Sequence, residues 1–231
     1  MEKLNSLLEK IKARNPDINQ NILEAFKVCD RKFFVKEFPY VDEPIHIAHG
    51  QTISQPSTIA RMIKLLCLKK GMNVLEVGTN TGYHAALVAY LVFPGKVTTT
   101  EIFPDLAEMA RQNIKKLIEH LKKKSKIKAK RLSRIKVVVG DALDKNNEIW
   151  KEKYNRIYFT ASVNKEQEKE VKAMAKKLLK EKGLLLYPTN ELFMYGSLKL
   201  WKKNKELKLV LKEEGYAFVP LLRKEDLRHY Y

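Results

Sequence analysis

A chain of 231 residues that is 45% apolar, with only 9 glycines and 8 prolines, can bury a sizeable core, which excludes a collagenous, low-complexity or wholly disordered protein. Its 45 Lys and Arg against 27 Asp and Glu leave a net charge of +18, so anionic partners or a heavily solvated surface are expected. The two cysteines, Cys29 and Cys67, are too few for a zinc quartet or a disulfide framework and read as buried thiols.

The first twenty residues mix apolar and charged side chains at helical spacing and hold no continuous apolar run, so no signal peptide is expected. The apolar run from Ala85 to Phe93 is far shorter than the roughly 20 residues that cross a bilayer. A soluble, cytoplasmic protein without a membrane partner is the expectation. Leu4, Leu7, Leu8 and Ile11 form one helical stripe, and Ile18, Ile22, Leu23 and Phe26 a second beyond Asn15-Pro16. Tyr40 to Pro56 carries Pro44, Gly50 and Pro56 among polar residues with neither period, and reads as a long ordered loop of the kind that usually serves function.

From Ser57 the pattern becomes an alternation. A helix through Ile59, Met62, Ile63 and Leu66 precedes a short buried strand, Asn73 to Val77. There follow a turn (Gly78 to Gly82), a helix (Tyr83 to Val92), a strand (Lys96 to Glu101), a helix (Pro104 to His120) and a strand (Ile135 to Val139). A strand (Arg156 to Thr160), a helix (Glu166 to Leu179), a strand (Gly183 to Tyr187) and a β-rich C-terminal section complete the chain. Such alternation predicts an α/β, doubly wound, mostly parallel sheet with helices on both faces.

The chemistry concentrates in Val74-Leu-Glu-Val-Gly-Thr-Asn-Thr-Gly-Tyr83, a strand entering a glycine-bounded turn that opens a helix, with Glu101 ending the next strand 19 positions after Gly82. Glycine at the turn lets the backbone approach a ligand, and an acid at the tip of the second strand can accept both hydroxyls of a ribose. Asp141, in Val139-Gly-Asp-Ala142, stands at the end of a further strand, on the edge where ligands of such sheets collect, although it could equally cap the segment that follows.

Gly50-Gln-Thr-Ile-Ser-Gln-Pro56 upstream of that turn resembles the protein-L-isoaspartate O-methyltransferase family. Asp30 to Val35, Glu101 to Asn113, Val138 to Asp141, Tyr154 to Ala161 and Phe218 to Leu221 continue the likeness in the family's order, over about residues 30 to 222. The resemblance implies a Rossmann-like methyltransferase domain over 1–231, with a helical extension and active-site loop at 1–56, a cofactor core at 57–188 and a C-terminal section at 189–231. It implies S-adenosyl-L-methionine as cofactor, isoaspartyl-containing peptides and proteins as partners, and protein repair through carboxyl methylation. It places the active-site hydroxyl at Ser54 and the cofactor at Ser57, Glu76, Gly78, Thr79, Asn80, Gly82, Glu101, Asp141 and Ala142, with no metal. Ser54 taken alone reads as a cap for the helix that starts near Ser57. Asn80 replaces the family's middle glycine, so its side chain is expected in the space nearest the methionine end. Thr189 to Tyr195 replaces a stretch of glycine and polar residues, which bears on contacts at the C-terminal side.

Between Lys115 and Lys136 eleven basic residues meet one acid, Glu119, a net +10 within the chain's +18. The segment looks like an insertion relative to the family. It supports a rival reading as a nucleic-acid methyltransferase, against a solvated lysine-rich helix end, which is favoured. A cofactor-binding relative without catalysis is a third reading, resting on Asn80. The histidines at 46, 49, 84, 120 and 229 form no metal-spaced pair, and His49 could line the substrate side.

Overall fold

The computed structural model describes residues 2–190 and 195–230. Its spine is a seven-stranded sheet in the order β5-β4-β3-β6-β7-β8-β9. The strands are β3 (Val74–Val77), β4 (Val97–Glu101), β5 (Ile135–Val139), β6 (Tyr154–Phe159), β7 (Leu179–Pro188), β8 (Gly196–Asn204) and β9 (Glu206–Tyr216). Pairing is parallel from β5 through β7 and antiparallel for β7–β8 and β8–β9. This is the expected doubly wound α/β architecture with its β-rich end.

Both faces of the sheet are covered, and alternation along one strand records it. Leu184 and Leu186 of β7 join the apolar cluster beneath the N-terminal helices, whereas Leu185 and Tyr187 join the cluster beneath α7 (Gln167–Leu178). The first cluster collects α1 (Glu2–Arg14), α2 (Gln20–Val28), α3 (Pro56–Leu65), α4 (Tyr83–Val92) and α5 (Pro104–Lys124). Helix α4, YHAALVAYLV, is buried on nearly every side, which explains its lack of a polar face. Helix α5 instead buries Leu106, Ala110, Ile114, Leu117 and Leu121 as one stripe and turns its lysines outward.

Several expectations change. The loop from Tyr40 to Pro56 contains a small antiparallel hairpin, β1 (Ile45–His46) with β2 (Thr52–Ile53), too short to show a period. Strand β6 starts two residues early at Tyr154, and β7 begins directly where α7 ends, four residues before Gly183. Cys29 is buried as expected, but Cys67 is exposed: it occupies the turn after α3 with φ of 46°. The basic segment is helical as far as Arg131, except at Ser125, and ends in a turn and the first residues of β5. Helix α5 runs on to Lys124, Ser125 breaks it, and the Ser125 side chain accepts from the Lys128 N–H to cap α6 (Lys126–Arg131). Glu191 to Met194, within the stretch where family contacts were expected to differ, lie outside the described residues. Among the described residues no helix is long and apolar enough to cross a membrane.

Candidate active site

The chain builds β3, β4 and β5 outward in one direction and then returns to place β6 on the other side of β3. At such a reversal neighbouring crossover helices diverge and leave a crevice beyond the carboxyl ends of the strands. A cleft lies there, walled by Gly78 and Asn80 after β3, Glu101 to Phe103 at and after the end of β4, Gly140 to Ala142 after β5 and Thr160-Ala161 after β6.

Gly78 opens the turn with φ of 97°, and a Cβ placed on it would stand 2.2 Å from Thr160 Oγ1, so only glycine fits. The Thr160 hydroxyl fills that space and donates to the Gly78 carbonyl (2.7 Å). Gly82, with φ of 86°, starts α4 where a side chain would press on Ala110 and Ile114 of α5. Between them Asn80 adopts the left-handed region, with φ of 55°. Its N–H donates to Glu101 Oε2 (2.7 Å). The other oxygen, Oε1, accepts from the N–H groups of Ile102 (2.9 Å) and Phe103 (3.2 Å). Burial raises the pKa of Glu101, and the three backbone donors act against that rise. The carboxylate is therefore held rigid at the cleft wall, with an acceptor position on Oε2 left for a hydroxyl group.

Asp141 is fixed from two sides. Its Oδ1 accepts from the Leu143 N–H (2.8 Å), and its Oδ2 from Arg223 Nε (2.7 Å) and the Lys224 N–H (3.3 Å). The strap containing Arg223 reaches this point by pairing with the segment after β6. Ser162 N–H donates to the Val219 carbonyl and Leu221 N–H to the Ser162 carbonyl, both at 2.8 Å. Val219 to Leu222 thereby close one side of the cleft.

The β1–β2 hairpin closes another side and brings Gln51 to the cleft. Arg31, buried completely, donates to the carbonyls of Val41 (2.8 Å), Glu43 (3.1 Å) and Ser54 (3.4 Å), and so sets the course of the chain on both sides of the hairpin. Asn80 Nδ2 donates to the Thr52 carbonyl (2.8 Å). His49 at the hairpin tip stacks on Phe103 (centroids 4.3 Å apart, planes at 5°) and bonds Asp105 Oδ2 through Nε2 (2.7 Å).

Of the residues singled out in the sequence, Gly78, Asn80, Glu101, Asp141 and Ala142 meet at the cleft. Ser54 is half-buried where the hairpin leaves it and does not itself form the wall. Nor does it cap α3: Gln55 is the capping residue, and the Ser57 N–H is met by Asp42 Oδ1 (2.8 Å). Ser57 borders a separate polar groove with Arg14 and Arg61. Thr79 and Gly82 lie behind the wall, Thr79 sharing a 2.6 Å bond with Thr99.

Glu76 also lies behind the wall, because all four residues of β3 are buried. It accepts from Thr99 Oγ1 (2.7 Å) and bonds the Tyr158 hydroxyl, and burial pushes its pKa up to about 8. The Asn80 side chain is engaged on two sides at the cleft wall: Nδ2 donates to the Thr52 carbonyl, and Oδ1 accepts from the Thr81 N–H (2.9 Å). Thr160, Ile102, Phe103 and Arg223 were missed. Thr160 had a signal in the sequence, since it ends a strand beside the glycine turn. Arg223 had none. No group of three or more His, Cys, Asp or Glu among the described residues could hold a metal ion.

The family model for protein-L-isoaspartate(D-aspartate) O-methyltransferase matches residues 2–226. A protein-L-isoaspartate O-methyltransferase of Pyrococcus horikoshii is 33% identical over 98% of this chain and 96% of its own length. One from Thermococcus onnurineus is 35% identical over 93% and 91%. Among solved structures, a Plasmodium falciparum protein assigned to the same enzyme class, in complex with S-adenosyl-L-homocysteine, superposes with a TM-score of 0.74 at 26% identity, covering 95% of this chain and 98% of that one.

Proposed function

The chain belongs to the protein-L-isoaspartate(D-aspartate) O-methyltransferase family, and from that premise we propose how its cleft performs methyl transfer from S-adenosyl-L-methionine to the α-carboxylate of L-isoaspartyl residues in damaged proteins. The observation that carries the reading is the convergence of Gly78, Glu101 and Asp141 on one cleft, with the hairpin leading to Ser54 fastened beside it. The cradle suits the cofactor: Gly78 leaves the backbone bare, and the fixed Glu101 carboxylate offers an acceptor on Oε2 to a ribose hydroxyl. Asp141 and Ala142 would hold the adenine end, and the Gly78–Asn80 turn the methionine end. Thr79, Gly82 and Glu76 support that turn from behind.

When bound, the cofactor supplies a methyl group on a positively charged sulfur. The attacking group is a carboxylate, ionised at neutral pH, so the protein needs no general base. Its task is alignment of the carboxylate oxygen with the methyl carbon and exclusion of water. In this reading the Ser54 hydroxyl donates to one carboxylate oxygen and leaves the other free to attack. The resulting ester then collapses without further help to a succinimide, as the nitrogen of the following peptide bond in the substrate attacks the ester carbonyl, gives up its proton and expels methanol. Residues 1–231 act as one methyltransferase unit in the cytoplasm. The basic segment is read as solvated surface, since none of residues 115–136 borders the cleft.

Labelled S-adenosyl-L-methionine offered with an isoaspartyl peptide, its aspartyl isomer and bulk RNA tests this. Base-labile label on the isoaspartyl peptide alone is expected, and label on RNA or alkali-stable label defeats the reading. Ser54→Ala should lower transfer by on the order of 10²-fold or less with cofactor affinity retained. An undiminished rate removes Ser54 from the site.

A further inference from the structure

We infer that Asn80 is a positioning residue for methyl transfer: its side-chain amide fastens the strand that leads to Ser54 onto the turn that faces the cofactor. This rests on the function proposed above.

Asn80 ties its own turn to two other segments. Its N–H is bonded to Glu101 at the end of β4, its Oδ1 accepts from the N–H of the next residue, Thr81, within the turn, and its Nδ2 donates to the Thr52 carbonyl in β2. The first two bonds fix the turn. They also orient the amide, since with Oδ1 occupied by Thr81 the Nδ2 group is left pointing at Thr52. Asn takes the left-handed conformation more readily than other side-chain-bearing residues, so the backbone does not oppose the arrangement.

The receiving strand needs such a tether. Strand β2 is two residues long and pairs only with the two residues of β1, a ladder too short to hold a position by itself. Ser54 follows directly. Its carbonyl accepts from Arg31 at 3.4 Å, a weak contact; beyond it Gln55 Nε2 donates to the Asp42 carbonyl (2.8 Å), and before it the 2.8 Å bond at Thr52 fixes the side of the strand that enters from the hairpin. The His49 contacts to Asp105 and Phe103 hold the tip of the hairpin, on the other side of Gln51. Because the turn carrying Asn80 also faces the ligand, the two reactants are positioned against one rigid unit. Alignment of reacting atoms is where small displacements cost rate.

Asn80→Gly removes the tether and spares the turn's backbone bond. Glycine accepts φ of 55° without strain and keeps the N–H that bonds Glu101, while the side-chain bonds to the Thr52 carbonyl and to the Thr81 N–H are both lost, and binding of S-adenosyl-L-homocysteine reports whether the turn itself persists. We expect the affinity for S-adenosyl-L-homocysteine, measured calorimetrically, to change less than about twofold, and kcat/KM for an isoaspartyl peptide to fall roughly three- to tenfold, as for loss of one hydrogen bond. Amide hydrogen exchange should quicken across residues 45–53 and stay unchanged across β3.

Unchanged exchange in the hairpin overturns the inference whatever the kinetics. Quicker exchange with unchanged kcat/KM overturns it too, since the tether would then hold nothing that matters to transfer. If the parent protein transfers no methyl to isoaspartyl peptides, the proposed function fails, and the tether is judged by the exchange result alone.

Discussion

The two sides of the cleft are built in opposite ways. One side is the row of strand ends, where Gly78 and Asp141 come just after β3 and β5 and Glu101 ends β4, so that all three inherit their positions from the sheet's parallel hydrogen-bond ladder. The other side consists of the β1–β2 hairpin and the strap from Val219 to Lys224, which have almost no regular structure. A few polar bonds hold them: Arg31 to Ser54, Asn80 to Thr52, Gln167 to the Leu221 carbonyl and Arg223 to Asp141. The sheet side gives rigid placement for a cofactor of fixed shape. The other side is held by contacts that can break singly, which suits a surface that must admit the backbone of a protein substrate.

The largest expected effect tests how firmly the sheet side is sealed. Glu76 in the folded protein has its pKa raised to about 8 by burial, whereas in the unfolded chain it titrates in the ordinary carboxylate range. Between those values the folded state binds more protons than the unfolded one, so this group's contribution is fully favourable at low pH and is lost as the pH rises toward 8. The slope reaches at most about 1.4 kcal/mol per pH unit for a single group. Glu76→Gln keeps the shape and removes the titration. Denaturant unfolding between pH 5 and 8 should show the parent losing stability more steeply than the variant, and equal slopes would mean that water reaches Glu76.

The next effect concerns the edge of the same side. Glu101→Ala removes the acceptor proposed for the ribose and the anchor for the Asn80, Ile102 and Phe103 N–H groups. A weakening of S-adenosyl-L-homocysteine binding by roughly 1.5 to 3 kcal/mol is expected from calorimetric titration, the range for a hydrogen bond to a charged group. Unchanged affinity would show that the cofactor does not use this acid.

The contrast also explains what the sequence disclosed. The sheet side was legible because its signals are local: apolar strand, glycine turn, helix, and an acid at the next strand's tip. The strand containing Glu76 was legible too, but its side-chain direction was not. An acid in a fully buried strand and an acid at a strand end look alike until packing is known. The other side was legible only through the Thr52-Ile-Ser54 resemblance, since its fastenings join distant positions, Asn80 to Thr52 across 28 residues and Arg223 to Asp141 across 82. No period or spacing announces such pairs. The bond from Asn80 to Thr52 was not legible for the same reason, because the Thr52 carbonyl is brought to it only by the fold.

The smallest expected effect lies away from both sides, on the basic helices. Lys128 pairs with Glu24 (2.7 Å) and Arg131 lies over the Tyr90 ring, so these two belong to the packing of α6. Lys122, Lys123, Lys124 and Lys126 are exposed. Replacing these four with glutamine should leave isoaspartyl methylation within about twofold, because exposed charges act weakly beyond the Debye length of about 8 Å in physiological salt. The substitutions are not silent, however. His120 is held below its ordinary pKa by burial and then by the nearby positive charges of Lys124, Lys32 and Lys123. Loss of two of these should move its titration upward, which proton NMR of the imidazole would follow. An upward shift with unchanged methylation is the expected pair of results. A matching loss of methylation would mean that these helices steer or hold the substrate and that the cleft's two sides do not suffice for recognition.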